Sequence, residues 1–285
     1  FSPRSKQLLE LEPLARWTGI NALFVPSAAI LDSKKILSAL QTELEAKKVS
    51  IRFNSEVLDV DPEYRKVFIE DHTYTYGHLV NAAGLHADRI AHVFGCGLQY
   101  TLLPFKGLYR KLRPHWSEKI RRLIYPTPNL SMPFLGVHLT RSIDGTVSVG
   151  PTAIPALGRE NYSWTESIEF KESGKNLFRL AHQYLLNRSQ FRRFVHEEST
   201  RFYFPNFVSA ARDLVPSLRA TDVLGIQKVG IRAQLYDRKK NSLVMDFVIE
   251  KAPHSTHVLN VVSPGFTAAL SFAKQVALEV ERSAH

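Results

Sequence analysis

Only one cysteine, Cys96, occurs in 285 residues. That excludes an internal disulfide framework and any thiolate metal cluster, and it fits a reducing, cytoplasmic compartment. Long apolar runs are missing as well. No stretch of about 18 apolar residues is available to cross a bilayer, and no basic segment followed by an apolar one opens the chain. The chain is therefore expected to be soluble or peripheral to a membrane. Carboxylates are in deficit: 27 Asp and Glu against 37 Lys and Arg leave a formal charge of +10 and a pI near 9.7. Such a balance invites nucleic acid, an anionic membrane surface or an acidic substrate. The basic residues are spread through 111–122, 188–193 and 238–240 with carboxylates between the clusters, and no zinc-finger or RNP motif accompanies them. No nucleic-acid partner is expected. A solvated basic surface is, with weak peripheral attraction to anionic lipid.

Several catalytic signatures are also absent. Without G-x-S-x-G, HExxH or CxxC, serine hydrolase, zincin and dithiol chemistries have no support, and no metal site is expected. A dinucleotide-binding turn, G-x-G-x-x-G after a first strand, is missing too. Gly95, Cys96 and Gly97 come nearest but lack the third glycine. They read better as the end of a helix, with Gly95 in the left-handed conformation that glycine tolerates.

What is present is a globular chain, 44% hydrophobic and long enough for two domains or one large α/β unit. Asp32 caps SKKILSALQTELEAKK, where Ile36, Leu37, Leu40 and Leu44 recur at helical spacing. SIRFNSEVLDV, KVFIED and HTYTY follow as a small β-meander turning at Asp71 and His72. HLVNAA is a strand that ends at Gly84 before the helix ADRIAHVF. From 100 to 228 the alternation of GLYRKL, FLGVHLTR and TVSVGP suits an antiparallel sheet with one wet face. Helices are expected over 167–188 and 197–214, the latter split at Pro205. Past 229 the first texture returns, and HVLNVVSPGFTAALSFAKQVA runs as strand, small-residue turn and helix, with the helix placed over 266–280. The fold class is thus α/β (α+β).

The turn at Ser263, Pro264 and Gly265 would aim free N–H groups and a helix dipole at an electron-rich ligand edge, unless it is an ordinary strand-to-helix connection. At VNAAG, Ala83 and Gly84 let a backbone pass close either to a ligand or to a packed helix. Arg232 in VGIRAQLYD needs an anion, which is a substrate carboxylate or else Asp237 or Asp246. His138 is a proton acceptor or a hydrogen-bonded core residue, and Lys106 is a cation in a cleft or a snorkelling surface lysine.

Taken in order, VPSAAILDSKKILSAL, VNAAGLHADRIA, LLPFKGLYRKL, LIYPTPNLSMPFLGVHLTRSIDGTVSVGPTAI, VGIRAQLYD and HVLNVVSPGFTAAL resemble the FAD-dependent L-2-hydroxyglutarate dehydrogenase/oxidase family of the D-amino-acid-oxidase-like superfamily. The resemblance covers nearly the whole chain. It implies a doubly wound FAD-binding domain made of 30–99 and 229–285, incomplete because the family's glycine-rich loop would precede Phe1. It also implies an antiparallel-sheet substrate domain of 100–228, to which 1–29 belongs. Val57 would meet the adenine through its backbone, and Ala83 and Gly84 would line the cofactor. Gly230 with Ser263, Pro264, Gly265, Phe266 and Thr267 would border the isoalloxazine, with Gly265 and Phe266 standing where relatives often have alanines. Arg232 would hold the substrate carboxylate, and His138 and Lys106 would face the substrate cleft. The implied reaction oxidises a small dicarboxylate 2-hydroxy acid, L-2-hydroxyglutarate, by hydride transfer to the flavin. The implied partner is a chain or segment supplying the glycine-rich loop. A non-catalytic scaffold and a sister oxidase acting on an amino acid or glycerol phosphate are the alternatives.

Overall fold

The computed structural model describes residues 5–16, 22–70, 72–127, 135–188 and 191–283. Asp71 of the expected meander turn and residues 128–134 of the family-like central segment lie outside them. Along the chain run α1 (Ser5–Leu11), α2 (Ser33–Ala46), β1 (Asp59–Asp61), β2 (Lys66–Ile69), β3 (His72–Thr75), β4 (Leu79–Asn81), α3 (Ala87–Val93), β5 (Tyr100–Leu112), α4 (Trp116–Lys119), β6 (His138–Arg141) and β7 (Val147–Gly150). Then come β8 (Ile154–Pro155), α5 (Phe170–Leu186), α6 (Phe191–Phe202), α7 (Phe204–Arg212), β9 (Val223–Asp237), β10 (Ser242–Leu243), β11 (Val248–Ala252), β12 (Ser255–Asn260) and α8 (Ala269–Ser283). These divide into two compact units, one of 1–51, 106–154 and 189–230, the other of 52–105, 155–188 and 231–285. The division falls inside β5 and β9, each of which gives a portion to both units. Residues 30–51 and 155–188 thus group differently from the domain scheme that the resemblance implies.

In the first unit β9, β5, β7 and β6 are successive neighbours, with β5–β7 and β7–β6 antiparallel. Arg110 faces Val149 across β5–β7 and Leu139 faces Val149 across β6–β7, so these three share one side of the sheet. On that side Leu139, Val147 and Val149 pack with Phe207, Val208 and Ala211 of α7 and with Trp116 and Ile120. Pro205 stands in the first turn of α7, where its missing N–H costs nothing. Arg110 lies over the Phe204 ring at 4.9 Å. Asp32 caps α2 by accepting from Lys34 N and Lys35 N at 3.0 and 3.2 Å. On the apolar stripe of α2, Ile36 and Leu40 are half-buried, whereas Leu37 is 56% exposed.

In the second unit β1, β2 and β3 form the antiparallel meander. A second sheet sets β12 between β11 and β4, antiparallel to the first and parallel to the second. Ala87 and Ala91 of α3 pack on Leu102, Leu235 and Leu259. α3 closes in a Schellman motif: Gly95, at φ +72°, donates to His92 O at 3.0 Å and Cys96 donates to Ala91 O at 3.2 Å. This is the role read for Gly95 from sequence.

A buried ionic knot fixes where α3 begins. Arg159 and Asp88 are 3% and 2% exposed and pair through two nitrogens and two oxygens. Asp88 also accepts from Leu102 N at 2.9 Å, and Arg159 Nε donates to Glu172 of α5 at 2.8 Å. Arg89 reaches Glu169 and Glu172 outside this pair. Burial pushes the Asp88 carboxyl upward, yet the guanidinium and the Leu102 amide outweigh it and hold the group below its ordinary value. Removing one partner of such a pair strands the other in a dry site. Asp88→Asn is expected to lower the unfolding free energy by about 3 kcal/mol, read from urea unfolding curves. An unchanged midpoint would mean that the knot contributes nothing.

Candidate functional site

Parallel pairing of β4 and β12 matches Asn81 with His257 and carries the two small-residue turns to the carboxyl ends of neighbouring strands. That is the edge at which open α/β sheets take ligands. The first turn is pinned by Asn81, whose Oδ1 accepts from Ala83 N at 3.2 Å while Nδ2 donates to Ala87 O at 2.8 Å. Gly84 follows at φ +55°, and a Cβ added there would meet nothing within 4 Å. Only backbone conformation demands glycine at this position, and the space above it is open.

At the second turn β12 is wholly buried, whereas Val261, Phe266 and Leu270 are exposed. Regular helix begins at Ala269, three residues later than sequence periodicity placed it, and is led in by a turn in which Ala268 N and Thr267 Oγ1 both donate to Pro264 O. The N–H groups of Gly265, Phe266 and Thr267 have no acceptor among the described residues. A Cβ on Gly265 would come within 2.7 Å of Val261 Cγ1 and 3.1 Å of Val262 O, so this tight turn needs its glycine. α8 is held by Phe272 against Phe247, with ring centroids 4.7 Å apart, and by the Lys251–Glu279 ion pair. Elsewhere in this unit Val57 is exposed, and its backbone N–H and C=O have no partner among the described residues. Arg232 is half-buried on β9. The carboxylates weighed as its structural partners are both engaged with backbone, Asp237 accepting from Lys239 N and Lys240 N and Asp246 from Phe247 N.

The first unit carries Lys106, His138 and Gly230. Lys106 is 3% exposed, and burial lowers its pKa. His138 is buried, hydrogen-bonded from Nδ1 to Gly136 O at 3.0 Å, stacked on Tyr125 at 4.2 Å and edge-on to Tyr109 at 6.0 Å. With the proton on Nδ1, the other ring nitrogen of the neutral imidazole is an acceptor, as a base requires. Strand alternation places His138 and Tyr109 on one side of the sheet and Lys106 with Arg110 on the other. The structure therefore does not gather Lys106 and His138 on one sheet face. Gly230 has an ordinary φ and a Cβ would meet nothing within 4 Å, so nothing in the chain itself calls for glycine there. Within the second unit, bare backbone beside open space at Gly84, free amides ahead of α8 and a free peptide at Val57 fit a large flat cofactor.

One constellation that sequence reading missed mimics a nucleophilic triad. Ser255 Oγ lies 3.0 Å from His257 Nε2, and His257 Nδ1 lies 3.1 Å from Asn81 Nδ2. The resemblance fails on proton count. Asn81 donates from Nδ2, so Nδ1 accepts and the ring proton sits on Nε2, which therefore donates to Ser255 and cannot take its proton. Ser255 and His257 are also 1% and 0% exposed. Burial, then the charge of His78, lowers the His257 pKa from an ordinary 6.5 to about 4. No group of three or more His, Cys, Asp or Glu side chains suited to a metal occurs among the described residues, and none of their helices is long and apolar enough to cross a membrane.

A sequence profile described as "FAD dependent oxidoreductase" matches residues 2–278. "L-2-hydroxyglutarate dehydrogenase" of Salmonella houtenae is 32% identical over 284 residues, covering 96% of this chain and 64% of that protein. The mitochondrial "L-2-hydroxyglutarate dehydrogenase" of Caenorhabditis elegans is 31% identical, covering 96% and 65%. The chain thus spans about 64–65% of the length of these relatives. Among solved structures, an L-alpha-glycerophosphate oxidase from Mycoplasma pneumoniae with FAD bound superposes with a TM-score of 0.64 at 17% identity, over 99% of this chain and 64% of that one. A glycine oxidase from Bacillus cereus gives 0.63 at 13%, over 99% and 65%. These two structural matches show a shared fold.

Two expectations follow. His257 stays neutral when folded, but the unfolded chain protonates it below its ordinary pKa, so stability falls as pH drops from about 6.5 toward 4 by up to about 3 kcal/mol. Urea unfolding at stepped pH, with His257→Gln flattening that slope, checks this. Gly84→Ala should cost only the left-handed backbone, about 1 kcal/mol. Gly97→Ala, also left-handed at φ +64° and with Leu259 Cδ1 2.7 Å from the added carbon, should cost clearly more in the same assay.

Proposed function

This chain belongs to the FAD dependent oxidoreductase family, and on that premise we propose that it serves the FAD-dependent oxidation of a 2-hydroxy acid, L-2-hydroxyglutarate, to the 2-oxo acid. The observation that carries this reading is the ligand edge of the second unit. There β4 and β12 end side by side in the Gly84 turn and in the three free amides ahead of α8. Support for the substrate comes from the name borne by relatives that match 96% of the chain at 31–32% identity.

Flavin bound at this edge supplies an acceptor for the hydride that leaves C2 of the substrate. In the second unit, Val57 would hold the adenine through its backbone, and Ala83 and Gly84 would line the cofactor without side-chain bulk. The amides of Gly265, Phe266 and Thr267, set by Ser263 and Pro264, would donate to the electron-rich edge of the isoalloxazine. Arg232 would bind the carboxylate beside C2 with its planar fork. In the first unit, Gly230 would leave room at the ring, and His138, protonated on Nδ1, would take the hydroxyl proton on its other nitrogen. The resemblance also gives Lys106 a cation's role at the cleft, which its place on the sheet side opposite His138 does not favour. The basic balance of the chain favours a dicarboxylate substrate. Segments of the relatives that this chain does not match would supply the diphosphate contacts.

Arg232→Ala in the flavin-loaded protein is expected to raise KM for L-2-hydroxyglutarate by about a hundredfold, with a smaller effect on kcat. An unchanged KM returns Arg232 to a structural role. Anaerobic bleaching of the flavin by L-2-hydroxyglutarate, but not by glycine or glycerol 3-phosphate, tests the substrate. Bleaching by either of the latter alone removes this reading.

A further inference from the structure

In the second unit, α5 is amphipathic in the reverse of the usual sense. Its buried residues are Ser173, Asn176 and Gln183, all polar, while Phe170 and Phe178 are 81% and 73% exposed and Leu177 and Leu185 are exposed with them. Positions 170, 174, 177, 178, 181 and 185 recur at helical spacing and are all exposed, so the apolar residues form one outward stripe about 22 Å long. The inward side holds the helix in this orientation. Glu172 accepts from Arg159 Nε at 2.8 Å and pairs with Arg89, and Ser173 Oγ donates to Leu157 O at 2.6 Å. Rolling the stripe inward would break these bonds and strand their polar groups.

The charge around the stripe is of one sign. Lys171 and Lys175 stand along one edge, both exposed. Just past the helix, Arg188 donates to Lys240 O, which brings the exposed Arg238, Lys239 and Lys240 to that end of the stripe. None of these six cations has a carboxylate partner among the described residues. The neighbouring acids are spent elsewhere: Glu169 and Glu172 on Arg89 and Arg159, and Asp237 on Lys239 N and Lys240 N within its own turn. Along 161–188 only Glu166, in the loop ahead of the helix, is an exposed acid.

We propose that α5 docks on the surface of an anionic lipid bilayer, with the stripe at the acyl boundary and the six cations at lipid phosphates. A bilayer takes up a convex apolar stripe without needing a shaped groove, and the stems of Lys171 and Lys175 reach from that boundary back to the headgroups. None of the described helices is long and apolar enough to span a membrane, so α5 lies on the surface.

Co-sedimentation of the chain with phosphatidylcholine vesicles, with and without phosphatidylglycerol and at stepped salt, tests this. Pelleting that requires the acidic lipid and weakens as salt rises is expected. Phe170→Ser/Phe178→Ser should weaken it at least about tenfold, and Lys239→Gln/Lys240→Gln about tenfold. All four side chains are exposed, so neither double variant should lower the melting temperature. No pelleting, equal pelleting with neutral vesicles, or pelleting that either double variant leaves unchanged overturns the proposal. A chain that ignores vesicles but self-associates in sedimentation velocity, and becomes monomeric in Phe170→Ser/Phe178→Ser, gives the stripe to a second copy and overturns it too.

Discussion

The second unit is organised around the contact between Arg159 and Asp88. A charge pair in a dry site adds little stability over a well-packed apolar pair, but it admits only one geometry, because each misplacement strands a charge. Here the geometry it enforces is useful. Asp88 lies at the start of α3 and also receives the Leu102 amide, so the helix, the first residues of β5 and the loop before α5 are referred to one point. The Gly84 turn emerges just ahead of that point. A turn of bare backbone such as this one, proposed above to line the flavin, has no side chains with which to adjust itself, and its precision must come from such an anchor.

Local sequence signals were legible because their physics is local. Asp32 announced the α2 cap, Gly95 the Schellman close of α3, and alternation the β1–β3 meander. VNAAG and SPGFT could be marked as turns of small residues, but their shared edge depends on the parallel register of Asn81 with His257, 176 positions apart. The Asp88–Arg159 pair, separated by 71 positions, left no trace in periodicity. Hydrophobic patterning also placed α8 three residues early, because apolar spacing does not mark where regular helical bonding begins. For α2 the apolar spacing was read as helical, and the helix forms over those residues.

Resemblance supplied roles for Lys106 and His138 that no spacing rule would have joined. Sheet register then separated them by side, through the chain of facing residues Tyr109, Gly150 and His138. His138 stands among aromatic rings, whereas Lys106 lies in a strand whose neighbours are almost wholly apolar.

Asn81 carries more than the position of a turn. Its amide sense is dictated by two backbone groups, and through that sense it chooses which nitrogen of a distant imidazole bears the proton. An aspartate at this place would accept and never donate. The ring would then carry its proton toward residue 81, its far nitrogen would become an acceptor, and the hydroxyl of Ser255 would reverse its hydrogen bond. A single oxygen-for-nitrogen exchange would therefore reverse the proton order along these three residues, while their burial would still withhold the hydroxyl from any substrate.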